Sequence, residues 1–132
     1  MNRFRFCIPV MVVLLSPTNP AHADKPIRNY TAWTDTVLAP IETGHLIPAW
    51  AGNRVVYGHP FETIDAEAKK AEVEGFYSPG ATEAERSALL QRYGVRYVLF
   101  QSPANDAELV ALGLTRAWSQ DEVMLYRVQG SP

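Results

Sequence analysis

Cysteine is almost missing from this chain. There is a single one, Cys7, among 132 residues. No intrachain disulfide and no thiolate metal centre can therefore form. A basic excess is lacking too, with 12 Lys+Arg set against 14 Asp+Glu. No basic patch is interleaved with aromatics, so nothing marks a nucleic-acid partner. Glycines are few and scattered. Gly44, Gly52 and Gly58 do not assemble a phosphate-cradling loop. Ser78, Ser87, Ser102 and Ser119 stand outside any G-x-S-x-G elbow. No His pair follows the HExxH spacing of a zinc protease helix. The sequence thus implies no cofactor and no metal.

What is present begins with a leader. Arg3 and Arg5 precede the short apolar run Cys7–Leu15, Pro17 and Pro20 break it, and Ala21-His22-Ala23 offers small residues around a cleavage point. These are the three parts of a secretory signal peptide, so residues 1–23 are read as one. The apolar run is well short of the ~20 residues that a spanning helix needs, and no later stretch reaches that length, so no membrane span follows cleavage. The alternatives are an uncleaved N-terminal anchor in the inner membrane, or the stub of a longer membrane protein. Cleavage leaves 109 of the 132 residues, enough for one small core. Ten Lys+Arg then face 14 Asp+Glu, a formal charge of about −4. Export without disulfides suits a bacterial periplasmic, extracytoplasmic location.

Residues 24–35 are polar, with Pro26, Tyr30 and Trp33, and read as a linker or arm. A single α/β domain over 36–130 follows. Thr36–Ala39 predicts a buried strand ended by Pro40. His45–Ala51 predicts one or two helical turns, with Pro48 in a first turn. Gly52-Asn53 is a turn, and Arg54–Gly58 is the next strand. Beyond the polar loop 59–63, Asp65 is placed to cap a helix to about Tyr77, with Lys69 at the favourable i+4 position. Val73, Phe76 and Tyr77 are its inward candidates, and Ser78-Pro79-Gly80 stops it. Glu67, Lys69, Lys70, Glu72 and Glu74 read as a solvated face.

Thr82-Glu83-Ala84-Glu85 spells a capping box. The helix behind it turns Leu89, Leu90 and Tyr93 to one side and ends at Gly94. Val95–Phe100 is the strongest strand. Only Arg96 interrupts it, as suits a strand covered on both faces. Ser102-Pro103 breaks it, Asn105 and Glu108 repeat the cap pattern for a helix to Leu112, and Gly113 ends that helix. Leu114–Ser119 and Val123–Val128 flank the polar turn Gln120-Asp121-Glu122 as a hairpin. This alternation predicts a small three-layer α/β fold. Its sheet would be mostly parallel, with helices on both faces and a C-terminal antiparallel hairpin.

Glu42 and His45 follow the first strand, and His59 and Glu62 follow the second. In open α/β sheets ligands bind beyond the carboxyl ends of strands. Two imidazoles and two carboxylates at one sheet edge would suit acid–base chemistry or an N/O metal site. The plainer interpretation is that they cap turns and helices, with Glu62 and Thr63 placed to cap the helix behind them. Trp33, Trp50, Phe61, Phe76, Tyr77, Tyr97 and Trp118 read as core rather than as a sugar-stacking platform.

One extended pattern goes further. Val37-Leu38-Ala39-Pro40, Glu42-Thr43-Gly44, Leu46-Ile47-Pro48-Ala49, Gly52, Arg54-Val55, Gly58-His59, Glu62-Thr63 and Ala68-Lys69 occur in order, followed by Tyr93–Val98. Over residues 36 to 101 this resembles the extracytoplasmic C-terminal region of bacterial polyprenyl-phosphate-sugar-dependent membrane glycosyltransferases of the mannosyltransferase type. Those proteins carry catalytic acids in an early loop between membrane helices, a part that this chain lacks. The resemblance therefore implies an exported, non-catalytic interaction or acceptor-binding module. A membrane glycosyltransferase or an envelope glycan would be its partner, and His59, Glu62 and Thr63 its ligand-binding loop. The competing expectation is a small periplasmic hydrolase or ligand-binding protein built on His59 and Glu62, with Glu42 or His45 assisting.

Overall fold

A computed structural model describes residues 25–61, 63–101, 106–120 and 122–130. The leader (1–23), Glu62, the Ser102-Pro103 break and the Asn105 cap lie outside the described residues, as does Asp121 of the hairpin turn. The described chain is mixed α/β around one five-stranded sheet of order β2-β1-β3-β5-β4.

Residues expected to form an arm instead open the fold as helix α1 (Lys25–Tyr30). Proline is tolerated in a first helical turn, so Pro26 does not prevent it. Ile27 is buried, and the Thr31 hydroxyl and amide both donate to its carbonyl, at 2.6 and 2.9 Å. A polar segment with one anchoring aliphatic residue thus becomes part of the core.

Strand β1 (Thr36–Leu38) stops before Pro40, and α2 (Ile41–Gly44) and α3 (Leu46–Ala51) follow. The helical stretch starts four residues earlier than expected, because Pro40 stands as an extended N-cap. Gly52 ends α3 in the left-handed region at φ 73°. Strand β2 is only Arg54–Val55, shorter than the predicted 54–58. Val56 and Tyr57 leave the ladder but stay buried. Gly44 packs so closely on the Tyr57 carbonyl that a Cβ there would collide with it.

Helix α4 (Ala66–Tyr77) starts after Asp65, which takes a left-handed φ of 55° and makes no side-chain cap, contrary to expectation. Helix α5 (Glu83–Arg92) has the full predicted box, with Glu85 N donating to Thr82 Oγ1 and Thr82 N donating to Glu85 Oε2. Arg86 of α5 donates to the carbonyls of Phe76 and Ser78 at 3.0 and 2.9 Å, satisfying acceptors at the end of α4. Glu72, read as solvated, pairs with Arg92 at 3.1 Å and so links the two helices.

Strand β3 (Val95–Phe100) runs parallel to β1, and β1 runs parallel to β2. Helix α6 (Asp106–Ala111) leads to β4 (Leu114–Gln120) and β5 (Val123–Val128), the predicted hairpin. β5 lies antiparallel to both β3 and β4. The sheet is therefore mixed, with two parallel and two antiparallel pairings.

Two apolar clusters contain the core. One joins Leu38, Val98 and Tyr126 to Val73 and Phe76 of α4, Leu89 and Leu90 of α5, and Leu109 of α6. The other joins Val37, Tyr97, Leu99 and Leu125 to Ile27 of α1 and Ile47 of α3. Alternation along β1 sends Val37 and Leu38 to different clusters, as the pleat requires. β3 shows why Arg96 interrupts its apolar run. The register slips there, Thr36 facing Val95 and Val37 facing Tyr97. The bulge turns Val95 and Tyr97 toward opposite clusters, where an unbroken strand would align them. Arg96 then sits 3.6 Å from Asp35. Each fully buried aliphatic side chain here contributes about 1.5–3 kcal/mol.

Candidate functional site

Strand order 2-1-3 puts the topological switch between β1 and β3. Ligands of doubly wound sheets enter beyond strand carboxyl ends at such a switch. Here the Tyr77 side chain occupies that position. Its hydroxyl donates to Leu99 O at 2.7 Å and stands 3.3 Å from Leu38 O. Burial holds its phenol well above the ordinary value of 10.0. Phe76 and Phe100 pack on its ring at centroid distances of 5.1 and 5.5 Å. The switch point is thus filled by the protein itself.

Among the described residues, a cleft of ≈ 490 Å³ opens beside the edge strand β2. His45, between α2 and α3, lines it together with Val56, which follows β2, and with His59, Thr63 and Ile64 of the next loop. Lys69 of α4 completes the wall. The structure thus brings together three of the sequence candidates, His45, His59 and Thr63. Glu42 is exposed in the first turn of α2 and does not line the cleft. Glu62 lies outside the described residues.

Local hydrogen bonds shape the loop. Thr63 N donates to His59 O at 3.0 Å, and Gly58 N donates to Thr63 Oγ1 at 3.3 Å. Thr63 therefore closes its own loop rather than capping α4. Phe61 N donates to His59 Nδ1 at 3.3 Å, and the two rings lie 5.5 Å apart. The Lys69 ammonium stands 5.8 Å from the centre of the Tyr93 ring. Burial first, and Glu72 second, raise the Tyr93 phenol.

The aromatics divide. Phe76 and Tyr97 are core, and Tyr77 and Trp118 are half-buried. Phe61, read as core, is 92% exposed, and Ile64 three residues on is 78% exposed. Trp33 is also exposed. The Trp50 side chain lies outside the described residues. The loop thus exposes two large apolar groups at a cleft whose wall mixes apolar residues with His45, His59, Thr63 and Lys69.

Sequence reasoning missed Asn53, taken only as a turn residue. It is 2% exposed and donates to Ala32 O at 2.6 Å, and its Oδ1 stands 3.0 Å from Thr31 Oγ1. It fastens the segment after α1 to the start of β2. The one signal for it was the Gly-Asn turn, and its distant partners were not visible there.

Among the described residues, no three His, Cys, Asp or Glu side chains gather closely enough to hold a metal ion. No described helix is long and apolar enough to cross a membrane. No protein-family model matches the chain, and no curated protein matches it significantly.

Proposed function

We propose that the chain is an exported, non-catalytic α/β module that binds an acceptor or partner of cell-envelope glycan synthesis through the cleft beside β2. In this reading it is related to the soluble region of membrane glycosyltransferases, and its helices cover both faces of the sheet in three layers. The observation that carries it is the meeting of His45 and His59, from separate segments, in one open cleft beside the exposed Phe61. Polar donors next to an uncovered aromatic face form the usual combination for holding a hydroxyl-rich ligand.

The hydrolase alternative draws on the same imidazole. It gains from the open cleft. It loses because His59 Nδ1 already accepts from Phe61 N, and because no carboxylate lines the cleft among the described residues. A base normally needs an orienting partner on its second nitrogen.

The test is equilibrium binding of the full chain to fractionated envelope glycans, with Phe61→Ala alongside. Saturable binding weakened about tenfold by the substitution is expected, the size of one lost aromatic anchor. Binding unaffected by Phe61→Ala would place the site elsewhere. Hydrolysis of an ester or glycoside that His59→Ala abolishes would favour the enzyme. Export is tested separately, by a soluble species whose N-terminus is Asp24.

A further inference from the structure

We infer that the loop after β2 is a pH-sensitive device, in which the neutral imidazole of His59 holds the Phe61 backbone and the protonated ring releases it. The two residues meet at two points. Phe61 N donates to His59 Nδ1 at 3.3 Å, and the two rings lie 5.5 Å apart, tilted by 43°. A ring nitrogen that accepts carries no hydrogen, so the neutral ring is the tautomer with its hydrogen on Nε2. The second proton can then enter only at Nδ1. The imidazolium has N–H groups at both nitrogens and no acceptor, so two donors would face each other across the same 3.3 Å. The bond therefore exists with the neutral ring and is lost with the charged one. Imidazole is the one side chain that ordinarily changes charge between pH 5 and 8.

The rest of the loop is held without the imidazole ring. Thr63 N donates to the His59 carbonyl, and Gly58 N donates to Thr63 Oγ1. Neither bond involves a titrating atom, so the base of the loop stays closed while its tip moves. The tip carries the Phe61 ring, 92% exposed, with little packing to oppose a new orientation. His59 is exposed as well, so water takes over both partners of the broken bond. Among the described residues, His45 and Lys69 are the other titratable groups lining the same cleft. The Lys69 ammonium stands over the Tyr93 ring. Glu62 lies outside the described residues. Neutral pH thus fixes Phe61 at the rim of the cleft, and acid sets it loose. The consequence for binding rests on the reading of this cleft as the ligand site; the switch in the loop does not.

The test is an NMR titration of the isotope-labelled full chain from about pH 8 to pH 5 at constant ionic strength. At the alkaline end the His59 ring should carry its hydrogen on Nε2. As that ring titrates, the Phe61 amide proton should move upfield and its three-bond HN–Hα coupling, which reports backbone φ, should change with the same midpoint. The Thr63 coupling should stay flat. His59→Gln does not titrate and should abolish the transition, whereas His45→Gln and Glu62→Gln should keep it. A hydrogen on Nδ1 at the alkaline end, a Phe61 coupling that ignores the ring, or a transition that survives His59→Gln overturns the device. Loss of the transition in His45→Gln or Glu62→Gln overturns it as well, by assigning the titration to that residue. Glycan binding is read separately. The roughly tenfold loss expected for Phe61→Ala at neutral pH should shrink to about twofold or less at pH 5. A loop that switches without any glycan binding keeps the device and removes the binding reading.

Discussion

The Tyr77 hydroxyl donates to the Leu99 carbonyl at 2.7 Å and stands 3.3 Å from that of Leu38, so one side chain from α4 ties the ends of β1 and β3 together. Filling the switch point in this way closes it to a ligand, while a cleft stays open at the sheet edge.

Tyr77→Phe removes that donor while leaving two enclosed carbonyls, and should cost about 1–2 kcal/mol in a urea melt at neutral pH. The phenol is raised in the folded state, so the folded chain holds its proton more tightly than the unfolded chain does. Its contribution is fully present below the unfolded value near 10.0 and is lost as pH rises from there toward the folded value. Urea midpoints from pH 8 to 11 should therefore converge for wild type and variant above about pH 10. A gap that stays constant would show that the hydroxyl is not enclosed.

Asn53→Ala should cost about 1–3 kcal/mol, the range for leaving buried partners unmatched. The Ala32 carbonyl loses its 2.6 Å donor, and Thr31 loses the polar contact at 3.0 Å that lies between it and the start of β2. Limited proteolysis should cut near residues 31–35 faster in the variant. Unchanged cutting would mean that α1 is held by Ile27 alone.

Two glycines should respond with opposite signs. Gly44→Ala drives a methyl into the Tyr57 carbonyl, a rigid backbone atom, and should cost about 1–3 kcal/mol through overpacking. Gly75 lies within α4 with open space where its Cβ would be. Gly75→Ala should stabilise the chain by about 0.5–1 kcal/mol. Thermal melts of the pair would check both, and a stabilised Gly44→Ala would contradict the close approach.

His59 is exposed, so His59→Ala should change stability by less than ~1 kcal/mol while abolishing the ligand response of the cleft. A larger loss in a denaturant melt would mark the ring as structural and count against its role as a ligand donor.

Much of the fold could be read from local pattern. The capping box at Thr82, the stops at Gly94 and Gly113 and the closing hairpin each rest on the chemistry of a few adjacent residues. Asp65 was misread because a cap depends on backbone conformation as well as residue type, and its left-handed φ of 55° takes the carboxylate out of capping geometry. Helix α1 was missed because one buried aliphatic residue is too weak a periodic signal. Of the candidate residues, His45, His59 and Thr63 line one cleft. Glu42 does not, since nearness along the chain to a strand end does not decide which way a short helix presents its surface.

The amino-acid sequence by itself determined the alternation of strands and helices from β1 onward, the single cysteine and the capped start of α5, because capping, turn chemistry and apolar runs act over a few residues. Tertiary structure alone decided that Tyr77 closes the switch point, that Asn53 is a buried clamp, that Arg96 marks a bulge, and that Phe61 stands in solvent. Each of these depends on what distant segments bring alongside. A side chain's burial and its hydrogen-bond partners are properties of the packed sheet, and no window of neighbouring residues contains them.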